Sequence, residues 1–230
     1  MIKQLIKQWM GYPPPIKAVS HNIGNAKVFI IGYNKTGTTS LKKLFKQWGF
    51  KLGSENVGHL LTEDWLKYQN LDRIFRYCEL AQVFQDKPFS TDGIYKPLAE
   101  KFPDSRFILS VRDNADQWYN SWIRYLASKV SADKVSPPTM DELKQSMNFL
   151  YRGYLYDSDV LQWGEENLYK PEIFKMRYEA HISDVRTYFE DKPERFIEIN
   201  VGVSEDFQRL LNFLGIQTTI SQFPHENRSR

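Results

Sequence analysis

The stretch "VFIIGYNKTGTTSL", residues 28 to 41, sets an apolar run before a glycine, a lysine and a cluster of hydroxyls, then returns to apolar spacing. The opening run reads as a buried strand, and Leu41, Leu44, Phe45 and Trp48 mark one face of a helix that stops at Gly49, a C-terminal cap. A turn from strand into helix presents backbone N–H groups and the positive end of the helix dipole, a combination that binds anions. Gly32 and Gly37 keep the glycine spacing of a Walker A phosphate loop, G-x-x-x-x-G-K-[ST], and Thr38 and Thr39 follow. The lysine slot itself holds Thr38, while Lys35 lies ahead of Gly37, inside the loop. An NTPase needs its lysine across the β- and γ-phosphates and its hydroxyl on Mg²⁺. The displaced lysine speaks against ATP hydrolysis and leaves amides, hydroxyls and an ammonium for a different anion.

A second stretch, "FILSVRDNADQWYNSW", puts Arg112 at a strand end and a serine, Ser121, about two turns into the following helix. A guanidinium offers a planar fork to phosphate oxygens, and a serine adds a hydroxyl. Helical phase sets Trp118, Ser121, Trp122 and Tyr125 on one stripe and turns Asn120 off it. Asp86, in "FQDKP", closes another short strand and so belongs at the same sheet edge, where it is a candidate general base; the alternative is a strand-end carboxylate paired with Lys87. His59, in the loop "SENVGHLL", either faces an acceptor or is solvated. His181 shares an apolar helical stripe with Phe174, Tyr178, Val185 and Tyr188 and reads as a buried, hydrogen-bonded core histidine. The four histidines and lone cysteine are scattered, which predicts no required metal. Aromatic residues in "YRGYLYDSDVLQW" either line an acceptor pocket or pack helices.

These groups need strands to carry them to one edge. "KVFII" (27–31), "AQVFQD" (81–86), "RFILSV" (106–111) and "RFIEINV" (195–201) read as strands, with helices over 95–102, 115–129, 140–157 and 171–190 and a last one capped by Ser204 and ended by Gly215. "SADKVSPP" is the best linker. Strand and helix in alternation predict an α/β single domain: a central, mostly parallel sheet flanked by helices, P-loop NTPase-like. With 230 residues the chain has room for one such core, and 41% hydrophobic with 26% charged residues excludes dominant disorder. A net charge of +3 leaves no nucleic-acid footprint.

Residues 1–26 read as an N-terminal amphipathic helix and Pro-rich linker, and 27–230 as the catalytic domain. Ile2, Leu5, Ile6 and Trp9 stand at helical spacing beside Lys3 and Lys7 before "GYPPP", so this helix either meets a membrane surface or partner or packs on its own domain. It lacks the apolar core of a secretory signal, and no run is long enough to span a bilayer. Cys78 alone forms no internal disulfide; a cytoplasmic protein is expected.

"KTGTTSL" resembles the phosphate loop of the PAPS-dependent sulfotransferases, whose signature is Lys-[Ser/Thr]-Gly-Thr-Thr between strand and helix. The resemblance implies 3′-phosphoadenosine 5′-phosphosulfate (PAPS) as donor and PAP as product. It assigns Lys35 to the bridging oxygen, and Thr36, Gly37, Thr38, Thr39 and Ser40 to the 5′-phosphate. It also assigns Arg112 with Ser121 to the 3′-phosphate; the position at the family's usual spacing is Asn120, one residue earlier. "RYEAHISDVRTYFEDKPERFIEINV", "FQRLLNFLGI" and the tail "FPHENR" are similar to a bacterial-type branch, so the likeness runs from about Lys27 to Arg228. In that branch the tail folds back, which makes Asn227 and Arg228 candidate nucleotide contacts and leaves His225 unassigned. The implied reaction moves a sulfuryl group to a hydroxyl or amine of a small-molecule or glycan acceptor, with Lys35 and Asp86 catalytic. Two alternatives stay open: a small-molecule or nucleotide kinase with a degenerate Walker A, Asp113 imitating a metal-binding aspartate, and a non-catalytic nucleotide-binding or membrane-associated module.

Overall fold

A computed structural model describes residues 23–131, 136–147 and 150–224. The N-terminal helix, part of the linker, and His225, Asn227 and Arg228 in the tail lie outside the described residues.

Four parallel strands form one sheet: β1 (Val28–Ile30), β2 (Val83–Phe84), β3 (Arg106–Ser110) and β4 (Phe196–Ile199), in the order β2-β1-β3-β4. Alternate side chains of β1 explain the two faces. Val28 and Ile30 pack with Ile108 against α1 (Thr38–Gln47) and α10 (Glu205–Leu214), while Phe29 and Ile31 pack on the other face with Phe84, Phe107, α4 (Asp72–Cys78), α5 (Tyr95–Lys101) and α9 (Pro171–Phe189). Phe29 stacks on Phe84, Phe89 and Phe107, so the sheet's centre is fully buried and aromatic on that side. A further aromatic cluster of Tyr33, Trp118, Trp163, Phe174 and Tyr178 joins α6 (Ala115–Val130), α8 (Tyr154–Trp163) and α9 beyond the sheet edge.

From β1 the chain moves to one side and then returns past it to β3. The loops after β1 and β3 therefore open away from each other at the carboxyl edge, the place where open α/β sheets bind ligands. Gly32 lies so close to β3 that a Cβ there would overlap the Ser110 carbonyl, and one on Gly37 would overlap Val201, just past β4. Gly37 also has φ 103, which only glycine takes readily. The Walker-like glycine spacing thus serves close approach of backbone to neighbouring strands.

Three local expectations need correction. The predicted helix over 140–157 is two: α7 (Met140–Gln145) ends at Ser146, whose backbone is extended, and Gly153 at φ 78 starts α8. Gly153 donates its N–H to the Ser146 carbonyl at 2.8 Å, closing a turn that the apolar spacing hides. "SENVGHLL" is helical, forming α2 (Glu55–Leu60) before α3 (Thr62–Leu66). Ser204 precedes α10 but makes no side-chain cap; its hydroxyl turns to Glu205, 2.9 Å away. Gly49 and Gly215 do end their helices in left-handed conformations.

Replacing Gly32 with alanine is expected to cost about 1–3 kcal/mol through overpacking against β3. Urea unfolding reads the loss; an unchanged midpoint would show that β1 and β3 have room to spare there.

Candidate active site

The loop between β1 and α1 enters its turn at Lys35, whose φ is 73. A left-handed lysine costs on the order of 1–2 kcal/mol and is held by its surroundings. Arg112 donates from Nε to the Lys35 carbonyl at 2.6 Å, binding the loop after β1 to the end of β3. Trp118 of α6 donates to the Asn34 carbonyl at 3.0 Å, and the Arg112 N–H is received by the Tyr178 hydroxyl at 2.9 Å.

Thr36 is fully buried, and its hydroxyl bonds to the Tyr33 carbonyl and the Ser110 hydroxyl, each at 2.6 Å. Its hydroxyl anchors the loop to β3. Ser40 is also buried and gives its N–H to the Gly37 carbonyl at 3.0 Å. Thr38 and Thr39 face the cleft. α1 has no side-chain cap, so the Thr38 and Thr39 amides that open its first turn are available to an anion.

Four cations gather near this opening. Lys35 has its ammonium 4.6 Å from the Tyr125 ring centre, with Lys129 at 5.0 Å from the same ring. Burial, and then the charges of Arg112, Lys129 and Arg124, hold the Lys35 pKa below its ordinary value. Only the Nε of Arg112 has a protein acceptor among the described residues. Ser121, half-buried, is one turn before Tyr125 on α6, whereas Asn120 is exposed. Lys35, Arg112 and Ser121 lie outside the lining of the cleft, which Lys129 and Tyr125 reach.

The cleft has a volume of about 320 Å³ and runs from Thr38 and Thr39 to the end of β2. Asp86 stands there at φ 63, a conformation aspartate tolerates better than most side chains. His59 of α2 pairs with it, Nε2 to Oδ2, at 3.3 Å. Burial pushes the Asp86 carboxyl up, but the hydrogen bond and charge of His59, the Lys87 N–H and Asn34 outweigh it and hold its pKa below the usual carboxylate value. The expected alternative, an ion pair between Asp86 and Lys87, does not form. Lys87 contributes only its backbone N–H, at 2.8 Å, and sends its ammonium to Asp159 of α8, 2.7 Å away, and to the Ser158 hydroxyl at 3.2 Å. Both members of that ion pair are buried.

Sequence reasoning missed Lys87, Asp159, Trp122 and the pairing of His59 with Asp86. The only signal for Lys87 was its place beside Asp86 in "QDKP". Tyr154, from the aromatic stretch, lines the cleft and stacks on His59 at 5.2 Å, whereas Trp163 belongs to the aromatic core. His181 is the core histidine expected: its Nε2 meets the Ile31 carbonyl at 3.0 Å, its Nδ1 lies 3.4 Å from Asp92, and its ring stacks on Tyr33. Asp113 accepts from Asn200 at 2.6 Å and from Gln117 at 2.8 Å, so it holds loop and helix together and is engaged on both oxygens. Among the described residues no three His, Cys, Asp or Glu side chains converge as metal ligands. No described helix is long and apolar enough to cross a membrane.

A comparison with curated proteins gave no match. A family model described as a sulfotransferase domain, Sulfotransfer_4, matches residues 27–230, the whole stretch from β1 through the carboxyl end. With nearly all of its length covered and a P-loop-like parallel sheet beneath the match, the chain belongs to the sulfotransferase-domain family.

Proposed function

We propose that this sulfotransferase takes its sulfuryl group from PAPS, delivers it to a hydroxyl or amine of a small acceptor, and releases PAP. The observation that carries the donor assignment is the gathering of Lys35, Arg112, Arg124 and Lys129 beside an uncapped helix N-terminus. Such a group repels itself until an anion of several charges enters. Gly37 and the amides and hydroxyls of Thr38 and Thr39 at the start of α1 hold the 5′-phosphate; Thr36 and Ser40 stiffen the loop from inside. Arg112 turns its unused nitrogens to the 3′-phosphate, joined by Ser121 and by Arg228 of the tail.

Lys35 stabilises charge that builds on the leaving phosphate oxygen during in-line transfer, the role that positioned cations play in phosphoryl transfer. Asp86, ionised and braced by His59, accepts the acceptor's proton. The reading requires no metal. It places the enzyme in the cytoplasm, where the buried thiol of Cys78 stays reduced. The kinase alternative loses support because Asp113 is engaged by two amide side chains.

PAP should raise the melting temperature without magnesium, and Mg·ATP should raise it less; the reverse order would sink the donor assignment. Arg112→Ala is expected to weaken PAP about tenfold or more, the loss of a charge-assisted contact, yet barely change adenosine 5′-phosphosulfate, which lacks the 3′-phosphate. Equal losses, measured by titration calorimetry, would move Arg112 elsewhere.

Asp86→Asn should reduce turnover by about 10²–10⁴-fold with PAP binding retained. A second signature follows from its lowered folded-state pKa. The contribution of Asp86 to stability is present above its unfolded value of about 3.9 and lost as pH falls through the lower folded value. Wild type and variant should therefore differ in urea midpoint at pH 7 and converge in acid, and a gap that persists below the folded value would contradict this account.

A further inference from the structure

The lysine assigned to the leaving phosphate oxygen is held by no carboxylate. Among the described residues no hydrogen bond or ion pair reaches the Lys35 ammonium, and the charges that act on it, those of Arg112, Lys129 and Arg124, are all positive. What stands against it is a ring: the ammonium lies over Tyr125, 4.6 Å from the ring centre. A ring face attracts a cation through its quadrupole and carries no net charge, so it orients the ammonium without neutralising it. A carboxylate in the same place would pair with the lysine and compete with the anion that the lysine must meet.

The ring is itself fixed by α6. Tyr125 is half-buried, and the buried Trp122, one turn earlier, packs against it with ring centres 5.6 Å apart. Two turns before Tyr125, Trp118 donates to the Asn34 carbonyl. One helix therefore grips the loop at consecutive residues, by backbone at Asn34 and by side chain at Lys35. Lys129 reaches the same ring from the next turn, at 5.0 Å, and the attraction of the ring opposes the repulsion between the two ammoniums. Burial first, then the charges of Asp86, Asp159 and Glu55, push the Tyr125 phenol up to about 12, which keeps the ring neutral at working pH. Tyr125 lines the cleft whereas Lys35 does not, so the ring is a contact between the cleft and the lysine.

Resting on the sulfuryl-transfer reading, we infer that Tyr125 is a positioning residue whose ring holds the Lys35 ammonium in place, without neutralising it, for the 5′-phosphate oxygen of the donor. The tyrosine acts through the lysine and exchanges no proton. Its partner in that role is the charge of Lys35, so the contribution of the ring must vanish when the charge is removed.

The test is a double-mutant cycle on the full chain, read by calorimetric titration with PAP, which keeps the 5′-phosphate that Lys35 addresses and needs no acceptor. Tyr125→Leu should weaken PAP about tenfold, the loss of a partly desolvated contact between cation and ring. Tyr125→Phe keeps the ring and should stay within about twofold of the unaltered chain. In a Lys35→Ala background, Tyr125→Leu should weaken PAP no further. A loss of equal size with and without Lys35, or a phenylalanine as damaging as the leucine, overturns the assignment of Tyr125. Failure of the unaltered chain to bind PAP overturns instead the donor reading on which it rests. Where the leucine variant does not fold, NMR of the lysine-labelled unaltered chain decides. The ring current should move the Lys35 ε-methylene signal, identified by its loss in Lys35→Arg, upfield of a solvated lysine, and a signal at the ordinary position overturns the contact.

Discussion

The guanidinium of Arg112 donates to the carbonyl of Lys35, and that bond settles where the positive charge of this protein's site can stand. The carbonyl is presented because Lys35 is left-handed. The arginine is in reach because β1 and β3 are neighbours in register, Ile30 opposite Ile108. Gly32 lets the strands' carboxyl ends approach closely enough. Fold, backbone strain and electrostatics thus meet in one contact, and relaxing Lys35 to an ordinary conformation would separate the two cations that the loop brings together.

Holding like charges together has an energetic consequence that explains the architecture around them. At separations of a few ångströms, near a surface, unit charges interact by about 4 kcal/mol, so an empty cationic cluster must be restrained by something other than its own attraction. Here the restraints are neutral. Thr36 is locked to Tyr33 and Ser110, Trp118 holds the Asn34 carbonyl, and Tyr178 receives the Arg112 amide. None of them cancels positive charge, and so the loop is rigid while its field stays available. The depressed pKa of Lys35, caused first by burial and then by its cationic neighbours, is the same fact seen from the lysine.

Much of this was legible in the sequence because it follows from strand ends. An apolar run followed by a turn places Lys35, Asp86 and Arg112 at one edge of a parallel sheet whatever the remaining chain does. The family likeness of "KTGTTSL" is likewise local. What could not be read depends on elements far apart in the chain: Lys87 and Asp159 are 72 residues apart, and their pairing requires α8 to fold across the end of β2. His59 read as a loop residue since α2 is short and has no strong apolar stripe to announce it. The bonds of the Thr36 hydroxyl to Tyr33 and Ser110 could not be read either, because sequence gives a side chain's chemistry and says nothing of which side of a loop it faces. The break at Gly153 was concealed by apolar spacing on both sides, and only the turn from Ser146 gives the glycine its meaning.

Asp86 and Lys87 show how the cleft resolves the conflict between stability and chemistry. Adjacent and opposite in charge, they would neutralise one another as side chains in an ordinary extended chain. The left-handed backbone at Asp86 sends them apart, one to His59 and the other into the protein to Asp159. A buried ion pair seldom adds net stability over apolar residues of the same shape, but losing one partner costs about 3–5 kcal/mol, so its geometry is firmly specified. The Lys87–Asp159 pair fixes the segment just after β2, and Asp86 inherits that fixed position with its carboxylate directed to the cleft. The strain at Asp86 is therefore tied to keeping a carboxylate free of its nearest cation, which is the condition a general base at this edge must meet.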